Sequence, residues 1–253
     1  MSEAWLAPPR DLPLQRGEVH VWRLFLEPPP AALARILASL APDERERAES
    51  FVFERDRVRF VAARGALRAI LGSYLGISAG AVRFRYGARG KPALAGTGAA
   101  EAIEFNLSHS DTLGLAAFAV GARLGVDLER LRAVDDADGI AERFFSPRER
   151  AEYGSLEAHE RVIGFFNCWT RKEAYVKAVG DGLAIPLDAF DVSLAPGDDP
   201  RLISIAGAPA SAWTLYALLP ARDYAAALAV EGSGWQIRRW DWDWPGDPPA
   251  IGG

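Results

Sequence analysis

Arg123-Leu124-Gly125-Val126-Asp127-Leu128-Glu129 reads as a β-strand, and its place in the chain decides the architecture. Successive side chains of a strand point to opposite faces, so Asp127 and Glu129 project side by side while Val126 and Leu128 are buried on the other face. The strand opens a region whose order of elements matches that of the region before it.

Upstream of it, residues 19–26 form a strand that breaks at Pro28-Pro29-Pro30. Residues 31–40 are an amphipathic helical stretch. Pro42-Asp43 then starts a helix with an acidic first turn. A long helix runs from about Arg55 to Leu75 and stops at Gly76, with Val58, Val61, Ala62, Gly65 and Ala69 on its apolar or small face. Arg57, Arg64 and Arg68 lie elsewhere on its surface. Strands follow at 82–86, 102–107 and 113–120, with a Gly/Ala-rich loop over 88–101.

Downstream come short helices around 136–153, a long helix over 159–179 and strands near 189–194, 213–219, 224–230 and 235–240. Two related α+β halves are expected, residues 1–122 and 123–253, although no repeat is visible at residue level. The tail from Trp240 is rich in Trp, Asp, Pro and Gly; it is expected to be irregular, packed by its tryptophans or partly disordered.

The chain has 253 residues, 49% of them hydrophobic and 25% charged, which is globular composition with material for two packed lobes. One cysteine, Cys168, excludes an intramolecular disulfide framework. No N-terminal signal and no apolar run of about 18 residues is present, so a cytoplasmic protein off the membrane is expected. A net charge of −5 argues against a nucleic-acid binder. That charge is uneven: residues 1–91 hold 15 basic and 10 acidic side chains, the remainder 14 and 24. Such a division suits a highly anionic small molecule and an accompanying cation, or is merely solvated surface charge.

Lysine is scarce. Arginine supplies 26 of the 29 positive charges, leaving Lys91, Lys172 and Lys177. An ammonium is not interchangeable with a guanidinium, so these three positions are singled out. On the long helix, Glu173 falls about 40° from Trp169 at 100° per residue, inside the apolar stripe of Val162, Phe165, Phe166 and Val176. A carboxylate there needs a partner or a metal. Lys172 and Lys177 sit at the stripe's edges, and an intrahelical Glu173–Lys177 pair is the plainer alternative. An ordinary strand with an acidic solvent face is likewise the plainer account of Asp127 and Glu129. Together with Glu173 they offer three hard oxygen ligands of the kind Mg²⁺ prefers. Asn106, Ser108 and His109, in a turn between strands, can present donors to phosphate. Arg89-Gly90-Lys91-Pro92 is a short basic loop without Walker spacing.

The ordered set Arg89–Pro92 (RGKP), Phe105–Ser110 (FNLSHS), Gly125–Glu129 (GVDLE), Phe144–Ser146 (FFS) and Trp169–Leu183 (WTRKEAYVKAVGDGL) resembles the Sfp-type 4'-phosphopantetheinyl transferases, over about Glu44 to Leu194. The resemblance implies two pseudo-twofold-related lobes, each a small mostly antiparallel sheet packed with a long helix. Coenzyme A would lie between them as substrate, and an apo acyl or peptidyl carrier protein would receive the phosphopantetheine group. It also implies Mg²⁺ held by Asp127, Glu129 and Glu173, with Glu173 as base and Lys177 on the phosphate under attack, assisted by Lys172. Arg47 and Lys91 would bind the nucleotide end, with Arg89, Gly90 and Pro92 in the same loop. Ser108 and His109 would contact the 3'-phosphate and nucleotide, and Asn106 would shape their loop. Glu44 stands where some relatives have a basic residue, three positions before Arg47, and the tryptophan-rich tail is not covered. A monomer is expected. Rival readings are another magnesium-dependent nucleotide pyrophosphate enzyme and a non-catalytic carrier-binding module.

Overall fold

The computed structural model describes residues 4–9, 12–87, 90–96, 102–180, 185–205 and 210–244. Strand β1 (Glu18–Phe25) leads into helices α1 (Pro30–Ser39), α2 (Pro42–Glu49) and α3 (Glu54–Leu75). A hairpin of β2 (Phe84–Tyr86) and β3 (Pro92–Leu94) follows, then β4 (Ile103–Ser110) and β5 (Leu113–Val120). The second half repeats this order: β6 (Leu124–Arg130), α4 (Ala137–Phe144), α5 (Pro147–Ser155), α6 (Arg161–Val179), a small pair β7 (Phe190–Val192) and β8 (Leu202–Ile205), then β9 (Trp213–Leu218) and β10 (Tyr224–Glu231). Both long helices end on a glycine in the left-handed region, Gly76 (φ 66°) and Gly180 (φ 82°), where a side chain would be strained.

The strand orders make the relation between the halves explicit. One sheet contains β1-β5-β4 and the other β6-β10-β9, so in each the first strand pairs with the last and the last with the one before it. Both sets are antiparallel. The helix-facing side of the first sheet packs Trp22, Leu24 and Phe118 against Ala62, Ala66 and Leu67 of α3. The helix-facing side of the second packs Ala225, Ala227 and Ala229 against Phe165, Phe166 and Val176 of α6. Their other faces meet in a third apolar core that includes Val19, Val21, Leu115, Val126, Leu128 and Leu228. The long helices thus lie outside two facing sheets, a pseudo-twofold α+β arrangement.

Four local expectations are revised. Trp240 and Trp242 belong to β11 (Gln236–Trp242), which pairs in parallel with β1 and covers that strand's free edge. Their rings, with Trp244, pack on the core beneath α3. The loop expected over 88–101 contains β3. Residues 105–110 lie on β4 rather than in a turn. Arg64 and Arg68 are buried, because Glu44 of α2 lies beside α3 and receives both: Arg64 Nε at 2.5 Å and Arg68 Nε at 2.6 Å.

Candidate active site

The site begins with a close approach. A Cβ on Gly125 would lie 2.2 Å from the Ala174 carbonyl oxygen and 2.4 Å from the Ala178 nitrogen, so only glycine lets α6 rest on β6. Asp127 and Glu129 follow at two-residue intervals on the same face of the strand and are held beside α6. Asp127 is 4% exposed. Its Oδ1 accepts from Lys177 Nζ at 2.5 Å and from Ser108 Oγ at 2.8 Å, while Oδ2 is buried without a hydrogen-bond partner.

The alternation that aims the carboxylates from β6 also aims their partners from β4. Asn106 Oδ1 accepts from Val126 N at 2.9 Å, Ser108 meets Asp127, and Ser110 Oγ donates to Glu129 Oε2 at 2.8 Å. The seam between the lobes is therefore stitched by three side chains at i, i+2 and i+4. Ser110 stood in the motif but was given no role; the strand period was the signal that could have found it.

Burial pushes the Asp127, Glu129 and Glu173 carboxyls above their usual range, and the Asp127 charge raises Glu129 and Glu173 further. Lys177 opposes the rise at all three. These four groups share one electrostatic neighbourhood. Among the described residues, however, no group of three such ligands is drawn up ready around an ion position. Lys177 occupies one Asp127 oxygen. The set nonetheless fits a hard cation: the oxygens are carboxylate, and the buried Asp127 Oδ2 lacks any other partner.

Beside this cluster is a cleft of about 330 Å³ whose lining includes Arg47, Arg64, Gly90, Pro92, Asn106 and His109. Arg47 stands over the Phe60 ring, 5.4 Å from its centroid. His109 links cleft and cluster. Partial desolvation lowers its pKa first, and the charges of Lys177, Arg59 and Arg47 lower it further, favouring a neutral ring. Arg64 was missed at the level of sequence; its guanidinium holds both Glu44 and the Tyr86 hydroxyl at the cleft wall. No local pattern marks an arginine whose partner lies twenty residues away.

Two lysines are placed elsewhere. Lys91 reaches across the seam to the carbonyl ends of α6, donating to Lys177 O at 2.7 Å, where a cation also complements the helix dipole. Lys172 points into the C-terminal core toward Glu149, because α6 is buried on several sides and its position is not a stripe edge. Arg89 lies outside the described residues.

A cleft that holds two arginines, beside a cluster of carboxylates with a lysine among them, suits a group-transfer enzyme that handles phosphate. The signature of the 4'-phosphopantetheinyl transferase superfamily matches residues 123–229. A 4'-phosphopantetheinyl transferase N-terminal signature matches residues 26–120. Over 240 residues the chain is 43% identical to 4'-phosphopantetheinyl transferase HetI of Nostoc sp., covering 95% of this chain and 99% of that protein. It is 29% identical over 160 residues to 4'-phosphopantetheinyl transferase Sfp of Bacillus subtilis, covering 63% and 69% respectively. Among solved structures, Thermotoga maritima holo-[acyl-carrier-protein] synthase aligns over 44% of this chain and 63% of that one, with 21% identity and a TM-score of 0.35. The chain belongs to the 4'-phosphopantetheinyl transferase family.

Proposed function

We infer that this protein transfers the 4'-phosphopantetheine group of coenzyme A to a serine of an apo acyl or peptidyl carrier protein. The observation that carries the site assignment is the joining of Asp127, Glu129, Glu173 and Lys177 beside a cleft lined by Arg47, Arg64 and His109. Asp127, Glu129 and Glu173 would hold Mg²⁺. When bound, the ion would neutralise the diphosphate of coenzyme A and the charge that develops as it is cleaved.

Glu173 takes the proton of the carrier serine. The serine Oγ forms a bond to the β-phosphorus as the bond from that phosphorus to the bridging oxygen breaks. The electron pair leaves with 3',5'-ADP. Lys177 offers its ammonium to the phosphate oxygens beside its present contacts with Asp127 and Ser108, which engage two of its three donors. Arg47, Gly90, Pro92 and His109 line the space for the nucleotide end. The cleft of the N-terminal lobe and the carboxylates of the C-terminal lobe come from one chain, which favours a monomer, and we place its work in the cytoplasm. Among the described residues no helix is long and apolar enough to cross a membrane.

Mass spectrometry of an apo carrier incubated with coenzyme A and Mg²⁺ tests the reading, with an expected gain of about 340 Da for the transferred group. No gain on acyl or peptidyl carriers would refute it. Turnover of nucleotides without coenzyme A would favour a different pyrophosphate chemistry.

A further inference from the structure

The two lobes carry the same buried arrangement at the same point in their order of elements. In the N-terminal lobe Glu44, third residue of α2, accepts from Ala41 N at 2.8 Å and from Arg68 Nε at 2.6 Å. Arg68 Nη1 continues to the carbonyls of Ala79 and Val82, at 2.8 and 2.9 Å, which bracket the 3₁₀ turn Ala79–Ala81. In the C-terminal lobe Glu149, third residue of α5, accepts from Ser146 N at 2.8 Å and faces Lys172 Nζ at 2.7 Å. Lys172 Nζ continues to the carbonyls of Leu187 and Phe190, both at 2.6 Å, which bracket the 3₁₀ turn Leu187–Ala189. Superposing the order of elements brings out a four-residue likeness too short to stand out along the chain: Pro42-Asp43-Glu44-Arg45 and Pro147-Arg148-Glu149-Arg150.

We propose that Lys172 is a positioning residue: with Glu149 it forms a lock that sets the rotation of α6 so that Glu173 and Lys177 face Asp127, and this lock is the C-terminal copy of the Glu44–Arg68 lock. An ammonium has three N–H donors. Those of Lys172 have three acceptors, Glu149 and two carbonyls, in a side chain only 1% exposed. None is left for a phosphate. The lock ties α6 to α5 and to the turn after it, on the side of the helix away from β6. Arg171 adds a neighbouring tie, donating to the Ser193 carbonyl at 2.6 Å. With the helix pinned there, the next residue along, Glu173, is turned about 100° toward the seam.

The lobes also differ in a way that accounts for the choice of cation. Glu44 receives a second cation, Arg64, four residues before Arg68. Four residues before Lys172 stands Cys168, a buried thiol whose pKa burial raises well above its ordinary value, so that it stays uncharged. A single lysine therefore neutralises Glu149.

The proposal rests on Glu173 serving as a metal ligand, and the test separates the two ideas. Melting temperature and Mn²⁺ affinity are measured on the substrate-free protein, alongside transfer. Lys172→Met is expected to lower melting by about 10 °C, through the orphaned Glu149. It should also weaken Mn²⁺ binding about 10-fold, as loss of an outer support does. Lys172→Arg, which installs the cation of the other lobe, is expected to recover most of both. A Lys172→Met protein with unchanged melting and Mn²⁺ affinity but lost transfer would overturn the proposal, since the lysine would then act on the reacting groups. If the Met variant fails to fold, Lys172→Arg decides: normal melting and metal binding with lost transfer overturns it equally. A wild-type protein that binds no Mn²⁺ sinks the metal reading alone, because the melting comparison stands without it.

Discussion

The two lobes are alike in scaffold and opposite in what their first strand offers the long helix. Aligning Leu113 of β5 with Tyr224 of β10, the first residue of each last strand, matches Phe25 with Arg130 through their pairing registers. Trp22 then corresponds to Asp127, Leu24 to Glu129 and His20 to Gly125. In the N-terminal lobe Trp22 and Leu24 fill the core under α3. In the C-terminal lobe the same positions carry the acidic pair, and a missing side chain brings the helix down onto it. One copy of the unit fills these positions with core side chains; the other carries carboxylates there. The N-terminal lobe should accordingly depend on apolar contact, and the C-terminal lobe on charge balance.

Glu173→Ala gives the sharpest break. It should reduce kcat by about a thousand-fold while leaving the fold intact, the scale of a lost general base, and carrier modification followed by mass spectrometry reads it. Full activity would remove Glu173 from the mechanism. Gly125→Val tests the close approach. Its Cβ would meet backbone rather than a flexible side chain, and a loss of about 2–3 kcal/mol is expected in denaturant unfolding, together with lost transfer. A neutral effect would mean that β6 does not need glycine to seat α6.

Trp242→Ala sharpens the other side of the comparison. The ring is half-buried against the N-terminal core and meets Trp22 edge-on at 6.0 Å. A cost of about 2 kcal/mol is expected, less than for a fully buried tryptophan, with little change in metal affinity. A large loss of metal binding would show that the strap on β1 reaches the site.

The smallest effect concerns pH. The raised pKa values of Asp127, Glu129 and Glu173 mean that the folded protein retains these protons to higher pH than the unfolded chain. Their stabilising contribution is therefore present at low pH and is lost as pH rises through the folded values. Bound Mg²⁺ needs the ionised forms, so the rise in melting temperature on adding Mg²⁺ should be larger at pH 7.5 than at pH 5.5, by about a few degrees. Taking the difference at each pH cancels the opposite titration of His20, which burial lowers. A constant or falling shift would argue against a carboxylate metal site.

Much of this architecture was legible along the chain. Strand alternation, the apolar stripes of the two long helices and the glycine that ends the first are local signals, because backbone geometry repeats every two or 3.6 residues. The same periodicities put Asp127 and Glu129 on one face of their strand and marked Glu173 as a misplaced charge. What each charge faces is another matter. Lys91, Lys172 and Lys177 are equally conspicuous by scarcity, yet one caps a helix end, one is locked in a core and one lies on the acidic cluster. Arg64 and Arg68 were placed only on the outside of their helix until Glu44 came to rest beside them, and the strand expected near 235–240 runs on through Trp242 along the free edge of β1. Period and propensity are properties of neighbouring residues and are written in the sequence. The partner of a buried charge, and the strand that closes an edge, are set by segments far away in the chain, and only the folded packing brings them together.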